Sequence, residues 1–386
     1  MSRPHQDRLS SLPDEILEHI LSYLPTKDAV ATSFLTKRWK SQSLWRSQLN
    51  LHFNDIHFPD ASAFRQFFYS VIDKRDNTLP ILSFQLNCRR HGFLYETDLY
   101  NAVYAATSQG VENLSIDLFH NPINIMSLPT FVLTTKTLSV LKLKRVKLIM
   151  MKYYLPSLKL LHLESVSSYE HINKLLSGCP ILQDFEAKDL IVSNLSSSGS
   201  DVLSLSNLVR ANVSGSSDIK LHWFHNVHHL RIQAVCRFFF TGLCSSRRYL
   251  LDGKVMFHNL TYMELAFKLP EPLGLWKWDQ LTKFLRYSPK LQTLIVDEIN
   301  DDIICNCNGE KWRKPRTVPE CLSSHLTTCT IRNYNCFNCG FQFAKYLMQN
   351  SRVLSTMTIQ SSKSLDIDTK LQMFKELSLC PMIMVN

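Results

Sequence analysis

The segment LSVLKLKRVKLIMMKYYLPSLKLLHL, residues 138–163, contains the same six-residue pattern at its start and at its end. The pattern is an apolar residue, two variable residues, an apolar residue, one variable residue and a final apolar residue, as in LSVLKL (Leu138–Leu143) and LKLLHL (Leu158–Leu163). Apolar residues that alternate with other residues are typical of a strand with one buried face. The segment therefore predicts two short strands that belong to one repeating unit.

The pattern recurs along most of the chain after about residue 80, and successive copies start 19 to 35 residues apart. Leucine-rich repeats have a period of ~20–29 residues, and each LxxLxL motif forms one short strand. A single unit cannot bury its own leucines, whereas stacked units share one leucine core and line a curved sheet. The other copies are ILSFQL (Ile81–Leu86), VENLSI (Val111–Ile116), LQDFEA (Leu182–Ala187), LVRANV (Leu208–Val213), VHHLRI (Val227–Ile232), LTYMEL (Leu260–Leu265), LQTLIV (Leu291–Val296), LTTCTI (Leu326–Ile331) and LSTMTI (Leu354–Ile359).

Helical segments are predicted between several of these strands. Residues 96–110 end on a glycine, which commonly ends a helix, and residues 168–180 begin with a candidate N-cap serine. Residues 275–289 and 340–353 have the same character. We therefore predict an α/β fold class, in which a small all-helical N-terminal unit precedes an irregular leucine-rich-repeat solenoid with a curved parallel sheet and helices on its convex side.

Composition excludes several classes of protein. The chain has 386 residues, of which 45% are hydrophobic, as expected for a folded globular protein. Neither the GxxxxGKS/T nor the GxGxxG phosphate-binding loop is present. The longest apolar runs are too short to span a membrane. The N-terminal residues lack the apolar core of a secretory signal, so we expect the eleven cysteines to be reduced thiols. We expect a protein of the nucleus, the cytoplasm or both.

The N-terminal stretch LPDEILEHILSYLP, residues 12–25, does not follow the repeat pattern. Its apolar residues recur at helical spacing and form a broad apolar stripe. A second compact stretch, TKDAVATSFLTKRW, follows directly at residues 26–39. The stripe is either core for the rest of the chain or a surface for a partner.

The segment 7–45 resembles an F-box. The matching features are Leu12-Pro13-Asp14-Glu15, Ile16-Leu17, Ile20-Leu21, Leu24-Pro25, Ala29-Val30, Thr32-Ser33, Leu35 and Lys37-Arg38-Trp39. More of the chain resembles the plant F-box/leucine-rich-repeat/FBD group, namely residues 49–55, 64–73, 325–359 and the stretches LPSLKLLHLESV and LLSGCPILQDFEA. The family usually has two residues between the RW and LW pairs. Four separate Trp39 from Leu44 here, which predicts a third F-box helix that is shifted or distorted.

The resemblance and the repeats together predict four domains. These are an F-box at residues 1–48, a linker and first helical segment that joins it to the repeats at 49–78, leucine-rich repeats at 79–320, and an FBD-like C-terminal repeat segment at 321–386.

The resemblance implies a substrate receptor of an SCF-type cullin–RING ubiquitin ligase, without catalytic residues of its own. The F-box would bind a Skp-type adaptor, and through it the cullin and RING subunits, while the repeats would hold an unknown target protein. The main alternative is a leucine-rich-repeat scaffold that binds a protein or small ligand without ligase assembly. For some of the apolar residues, Leu17, Leu21 and Val30 among them, a place in the unit's own core is the alternative. The predicted adaptor contacts are Leu12, Pro13, Ile16, Ile20, Leu21, Leu24, Val30 and Leu35.

In each LxxLxL strand the leucines face the core, so the residue before the last leucine faces outward on the concave side. The predicted substrate-binding residues at these positions are Lys142, His162, Glu186, Arg231 and Glu264. Seven Lys or Arg residues and no Asp or Glu lie between Leu118 and Leu163. They predict either a patch for an acidic or phosphorylated segment or an inositol phosphate, or simply the solvated rim of a basic protein.

Other signals are weak. Cys336 and Cys339 have the CxxC spacing of half a structural zinc site, but Cys305 and Cys307 are one residue too close to complete it. His228 and His229 point to opposite faces of a strand. The net charge of +10 would be compatible with nucleic-acid binding, but the sequence contains no helix-turn-helix, zinc-finger or aromatic RNA-binding motif. We therefore predict no metal site, no cofactor, no nucleic-acid partner and no membrane partner.

Overall fold

A computed structural model describes residues 9, 11–35, 38–39, 43–90, 95–119, 125–149, 153–168, 172–192, 205–215, 221–235, 255–268, 274–298, 312, 314–334, 338–362, 367–378 and 383–385. The chain divides into two compact units. The first contains Met1–Ile181 with Ile191–Ser197, and the second contains Leu182–Leu190 with Ser198–Asn386.

The first unit begins with two short helices, α1 (Asp14–Leu21) and α2 (Thr26–Ala31). Each follows a proline, Pro13 or Pro25, whose fixed φ suits the start of a helix. Asp14 and Glu15 occupy the first turn of α1, where negative charge is favourable. Two 3₁₀ turns follow, Thr32–Phe34 and Leu44–Ser47.

Five parallel strands form the main sheet of the first unit. Their inward residues align across the sheet, as Leu86, Ile116, Leu143 and Leu163 do. Two longer helices, α3 (Ala61–Lys74) and α4 (Glu96–Ser108), connect the first three strands, and α5 (Ile172–Ser177) follows the last. The strands are β1 (Asn50–Asn54), β2 (Ser83–Cys88), β3 (Asn113–Leu118), β5 (Val140–Lys144) and β7 (Leu160–Glu164).

A second, four-stranded parallel sheet lies in the same unit, built from two-residue strands. These are β4 (Ser127–Leu128), β6 (Lys147–Leu148), β8 (Ser167–Ser168) and β10 (Ile191–Val192). Between β5 and β6, Arg145 has a φ of 57°, and between β7 and β8, Ser165 has a φ of 52°. One left-handed residue thus turns the chain from the main sheet into the small one in successive repeats.

The second unit is built on eight parallel strands and four described helices. Trp278 and Phe343, from the two long helices α6 (Gly274–Tyr287) and α8 (Asn338–Asn350), pack with ring centroids 4.9 Å apart. The shorter helices are α7 (Glu320–Ser324) and α9 (Ile367–Ser378). The strands are β9 (Asp184–Lys188), β11 (Arg210–Ser214), β12 (His229–Val235), β13 (Tyr262–Lys268), β14 (Thr293–Glu298), β15 (Thr328–Tyr334), β16 (Thr356–Ser361) and β17 (Ile383–Val385).

The predicted fold class is confirmed. Every predicted LxxLxL motif contributes a strand, but the strand starts two residues after the motif does, because the first leucine packs in the preceding turn. The segment 49–78, predicted as a linker with a helix, also supplies β1, which pairs with β2 as a full member of the sheet. No described helix is long and apolar enough to cross a membrane.

Candidate partner-binding surfaces

The F-box-like helices have a small core of their own. Leu17 and Leu21 of α1, Ala29 of α2, and Leu44 and Trp45 of the following 3₁₀ turn are buried, and both helices contact that turn. Leu21 is 1% exposed. This burial favours the alternative that Leu17 and Leu21 belong to the unit's own core over the prediction of Leu21 as an adaptor contact, because a side chain that fills a core is not available to a partner.

Other apolar side chains of the same helices point to solvent. Ile16 is 47% and Phe34 is 85% exposed, although both are strongly apolar. We call the exposed set Ile16, Ile20, Phe34 and Leu35 the F-box surface; Tyr23 is exposed beside Ile20 in sequence. Among the remaining predicted contacts, Pro13 is exposed, and Leu12, Leu24 and Val30 are half-buried.

Arg38 fixes the start of α1. Its Nη2 atom donates to the carbonyl oxygen of Leu12 at 2.9 Å and forms an ion pair with the Asp14 carboxylate. The next residue, Trp39, is buried. Arg38 thus ties the start of the helix that carries Ile16 and Ile20 to the segment after the second helix, by one hydrogen bond and one ion pair.

The two additional residues between Trp39 and Leu44 do not displace Leu44 and Trp45 from the core. Ser43 donates its backbone N–H to the carbonyl oxygen of Trp39 at 3.1 Å and takes a left-handed φ of 45°. The chain then continues as a 3₁₀ turn, and both following side chains are buried. The chain thus turns at Ser43 between Trp39 and the 3₁₀ turn; residues 40–42, on which the predicted shift or distortion of the third helix depends, lie outside the described part of the chain.

Hydrogen bonds join the F-box-like helices to the first repeat. Gln48 donates to the carbonyl oxygen of Leu21 at 2.7 Å, and the backbone N–H of His52 in β1 donates to the Thr26 hydroxyl at 2.7 Å. Arg75, buried after α3, donates to the carbonyl oxygen of Gln48 at 3.0 Å. The F-box surface is therefore held on the same framework as the sheet of the first unit.

On the open face of the first unit, Lys142 is exposed and lies opposite the half-buried His162 in the pairing of β5 with β7. The predicted basic patch is partly neutralised. Lys144 pairs with Glu164 at 2.7 Å, and Arg145 pairs with Asp117. Lys152, another member of that patch, lies outside the described residues.

On the open face of the second unit, a cluster forms around Glu264 in β13. Its carboxylate accepts a hydrogen bond from the Tyr262 hydroxyl at 3.1 Å, and its Oε1 atom lies 3.4 Å from Arg231 Nε and 3.5 Å from Arg332 Nη1. We call these four residues the arginine site. Burial, followed by the nearby Glu264 charge, raises the pKa of Tyr262, so its hydroxyl keeps its proton and donates.

The structure brings together two of the predicted substrate-binding residues. Arg231 and Glu264 are direct neighbours in the pairing of β12 with β13. Glu186, also predicted, accepts a hydrogen bond from Asn212 at 3.1 Å on β9 and β11. Sequence reasoning missed Tyr262 and Arg332, although both occupy outward positions by the same alternation on strands of two recognised motifs, LTYMEL and LTTCTI.

Described cysteines are buried rather than arranged as ligands. Burial raises the pKa of the Cys321 and Cys329 thiols to about 12 in each case. In the described ranges, no group of three or more His, Cys, Asp or Glu side chains is placed to hold a metal ion. The candidate ligands Cys305, Cys307 and Cys336 lie outside those ranges.

Two family models match the chain. The F-box domain model matches residues 9–48, which carry the F-box surface and Arg38. The FBD model matches residues 314–359, which include β15, α8 and Arg332 of the arginine site.

Curated relatives from Arabidopsis thaliana match over nearly the full length. The F-box/FBD/LRR-repeat protein At4g26340 is 30% identical, with 97% of each chain covered. The FBD-associated F-box protein At5g56370 is 30% identical over 91% of this chain and 90% of its own length. The FBD-associated F-box protein At3g52670 is 30% identical over 96% and 94%. With both family models and this coverage, the chain belongs to the plant F-box/FBD/LRR-repeat protein family.

Proposed function

We propose that the chain is the substrate-receptor subunit of an SCF-type cullin–RING ubiquitin ligase. The observation that carries the proposal is the exposure of Ile16, Ile20, Phe34 and Leu35 on a helical unit whose own core contains Leu17, Leu21 and Trp45. A Skp-type adaptor is the partner that F-box domains bind in general, and the F-box match covers these residues.

The size of the apolar surface suits a specific contact. Burying one Leu, Ile or Phe side chain contributes ~1.5–3 kcal/mol, and a peptide-like apolar helix face is a common recognition mode. Several such side chains are needed because association itself costs about 4–15 kcal/mol of lost freedom and ordering. The F-box surface supplies four, with Pro13 and the half-buried Leu12, Leu24 and Val30 beside them in sequence.

In this role the chain supplies proximity rather than chemistry. The adaptor, cullin and RING subunits would place a conjugating enzyme near a target that the repeats hold, and positioning alone accelerates a transfer step strongly. The protein would act in the nucleus, the cytoplasm or both.

The test is co-expression of the full chain with a plant Skp adaptor, read by size-exclusion chromatography. We expect a complex with the wild type and none with Ile16→Asp/Ile20→Asp. The matched control is Val318→Asp/Val353→Asp, which places two carboxylates at exposed apolar positions outside the F-box and should leave the complex intact. The full chain is required because Gln48 and Arg75 tie the F-box helices to the first repeat.

Circular dichroism of each variant shows whether it is folded. Absence of a complex with well-folded wild-type protein would contradict the proposal. It would favour the second candidate, a leucine-rich-repeat scaffold without ligase assembly, which is supported by the strained turn at Ser43 in place of the usual two-residue spacing.

A further inference from the structure

The open face of the second unit is most sheltered around β13 and β14. Glu264, Ala266 and Ile295 all lie on this face by strand alternation, yet all three are buried. An ionised carboxylate in such a place needs compensating partners. Glu264 has three: the Tyr262 hydroxyl and the guanidinium groups of Arg231 and Arg332.

The two arginines reach outward from this buried acid. The Glu264 side chain is 10% exposed, whereas the side chains of Arg231 and Arg332 are 52% and 39% exposed. The same arrangement recurs on β9 and β11, where the exposed Arg210 pairs at 2.8 Å with the more sheltered Asp184. Acidic groups thus lie at the base of the face and guanidinium groups lie above them.

Both arginines are oriented by one oxygen atom. Arg231 Nε and Arg332 Nη1 each lie within 3.5 Å of Glu264 Oε1, so the two donor nitrogens are at most about 7 Å apart. Among the described residues, Arg231 and Arg332 form ion pairs with Glu264 and with no other acidic residue. Each guanidinium group has five N–H donors, so contacts with the described residues leave most of its donors for another acceptor.

We propose that the arginine site binds a carboxylate side chain, Glu or Asp, on an acidic segment of the protein that this receptor recruits. The inference deepens the proposed function by naming the chemistry of the target, and it rests on that function for the identity of the bound protein as a ubiquitination target.

Charge balance favours a carboxylate over a phosphate. Arg231, Arg332 and Glu264 together carry one net positive charge, which a single carboxylate neutralises, whereas a phosphate monoester brings about −1.5 to −2. Asp297 lies opposite Arg332 in the pairing of β14 with β15, and its Oδ1 atom is already engaged by the Asn333 amide at 2.8 Å. Asp297 adds negative charge beside the site for any anion, so the phosphate, with the larger charge, meets the greater repulsion of the two.

The geometry also fits a planar acceptor. A guanidinium group presents parallel N–H donors that match the two oxygens of a carboxylate, and such charge-assisted bonds are stronger than neutral ones. Because Glu264, which itself accepts a hydrogen bond from Tyr262, orients the two guanidinium groups before binding, less side-chain order remains to be imposed when an acidic residue arrives.

The test uses the full chain in its complex with the adaptor, or alone if no complex forms, and a fluorescein-labelled oligoglutamate peptide. Fluorescence polarisation measures the dissociation constant for the wild type, for Arg231→Gln/Arg332→Gln, and for the control Lys290→Gln/Arg316→Gln. The control removes the same charge from exposed positions outside the site. Oligoglutamine and a peptide with phosphoserine in place of each glutamate are measured in parallel.

We expect oligoglutamate to bind the wild type and the control within about twofold of each other, and the Arg231/Arg332 variant to bind at least tenfold more weakly. Equal weakening in the control would overturn the site, because net charge would then explain the binding. Tighter binding of the phosphoserine peptide than of oligoglutamate would overturn the carboxylate assignment.

No binding of oligoglutamate to folded wild-type protein would overturn the proposal as a whole. Adaptor binding is measured on the same samples, so a failure of this inference is distinguishable from a failure of the receptor assignment. Arg231→Lys/Arg332→Lys provides a second variant that keeps the charge and removes the planar donors. We expect it to recover less than half of the binding energy lost in the glutamine variant.

Discussion

The F-box surface and the arginine site expose different chemistry, and the difference follows from what each has behind it. Ile16 and Ile20 project from a helix whose opposite side is buried in an apolar core, so these two side chains are exposed and are not part of that core. Arg231 and Arg332 project from a sheet face whose base contains a buried acid that orients them. The first surface is defined by exposed apolar side chains and the second by arginine side chains with a fixed ionic partner.

The largest effect should separate core from surface within α1. Leu21→Ala should lower the free energy of unfolding by about 2–5 kcal/mol, because it leaves a cavity in a filled core. Ile20→Ala, at the neighbouring exposed position, should change it by about 0.5 kcal/mol or less. Urea unfolding of the full chain followed by circular dichroism measures both. Equal losses would show that Ile20 belongs to the core and would break the comparison.

A somewhat smaller effect should appear at Arg75, which joins the F-box helices to the sheet. Its guanidinium donates to the carbonyl oxygens of Gln48, Asp76, Leu79 and Pro80 and to the Gln109 amide oxygen. Arg75→Gln should cost about 2–4 kcal/mol, because several part-buried acceptors lose their donor.

The control for Arg75 is Arg90→Gln, a change of the same kind at an exposed position, which should be close to neutral. If Arg75→Gln is as harmless as the control, the F-box helices are independent of the sheet. The F-box surface would then not share a framework with the sheet of the first unit, contrary to what the hydrogen bonds indicate.

Salt should distinguish the two surfaces. Raising the salt concentration from about 0.05 to about 0.5 M should weaken oligoglutamate binding at the arginine site about tenfold, because ions screen exposed charges. Adaptor binding through the F-box surface should change by less than about threefold, since apolar burial does not depend on charge. Fluorescence polarisation and isothermal titration calorimetry measure the two constants. Similar salt dependence would mean that both contacts are ionic.

The smallest effect concerns pH and the open face of the first unit. Burial, followed by the nearby charge of His57, lowers the pKa of His52 in β1. The unfolded chain therefore takes up a proton below about pH 6.5 that the folded chain resists, so stability falls as the pH decreases through this range. Because His52 is only half-buried, we expect a change of about one degree in Tm.

His52→Gln should reduce this acid sensitivity, and the exposed His228→Gln serves as the matched control. Thermal unfolding between pH 7 and pH 5 measures the difference. An unchanged pH profile in His52→Gln would show that the acid sensitivity arises elsewhere.

Much of the fold follows from local patterns. Leu141 and Leu143 occupy the inward positions that LxxLxL predicts, and both are fully buried. The helix predicted to end at Gly110 ends at Ser108, and Gly110 takes a left-handed φ of 76°, as a helix-terminating glycine does. β1 was missed because its LHF pattern has only one short alternation and no leading leucine.

The binding surfaces were less accessible to sequence reasoning. A broad apolar stripe shows that α1 has a buried side, but it does not show where that side ends, so Leu21 and Ile20 were given the same role. The arginine site depends on residues 68 positions apart, Glu264 and Arg332. Only the number of repeats between them and the register of β13, β14 and β15 bring these side chains together.

The link between Gln48 and Arg75 has a consequence for the engineering of this family. A chimera in which the first 48 residues are exchanged for those of another receptor would keep Arg75 but replace Gln48. Gln48 accepts a hydrogen bond from Arg75 through its backbone carbonyl and donates one to Leu21 through its side chain. The natural junction for such an exchange therefore lies after Pro80, which keeps the backbone carbonyl contacts of the Arg75 guanidinium on one side and leaves its contact with the Gln109 side chain on the other. The transferable unit is the F-box together with its first strand and helix.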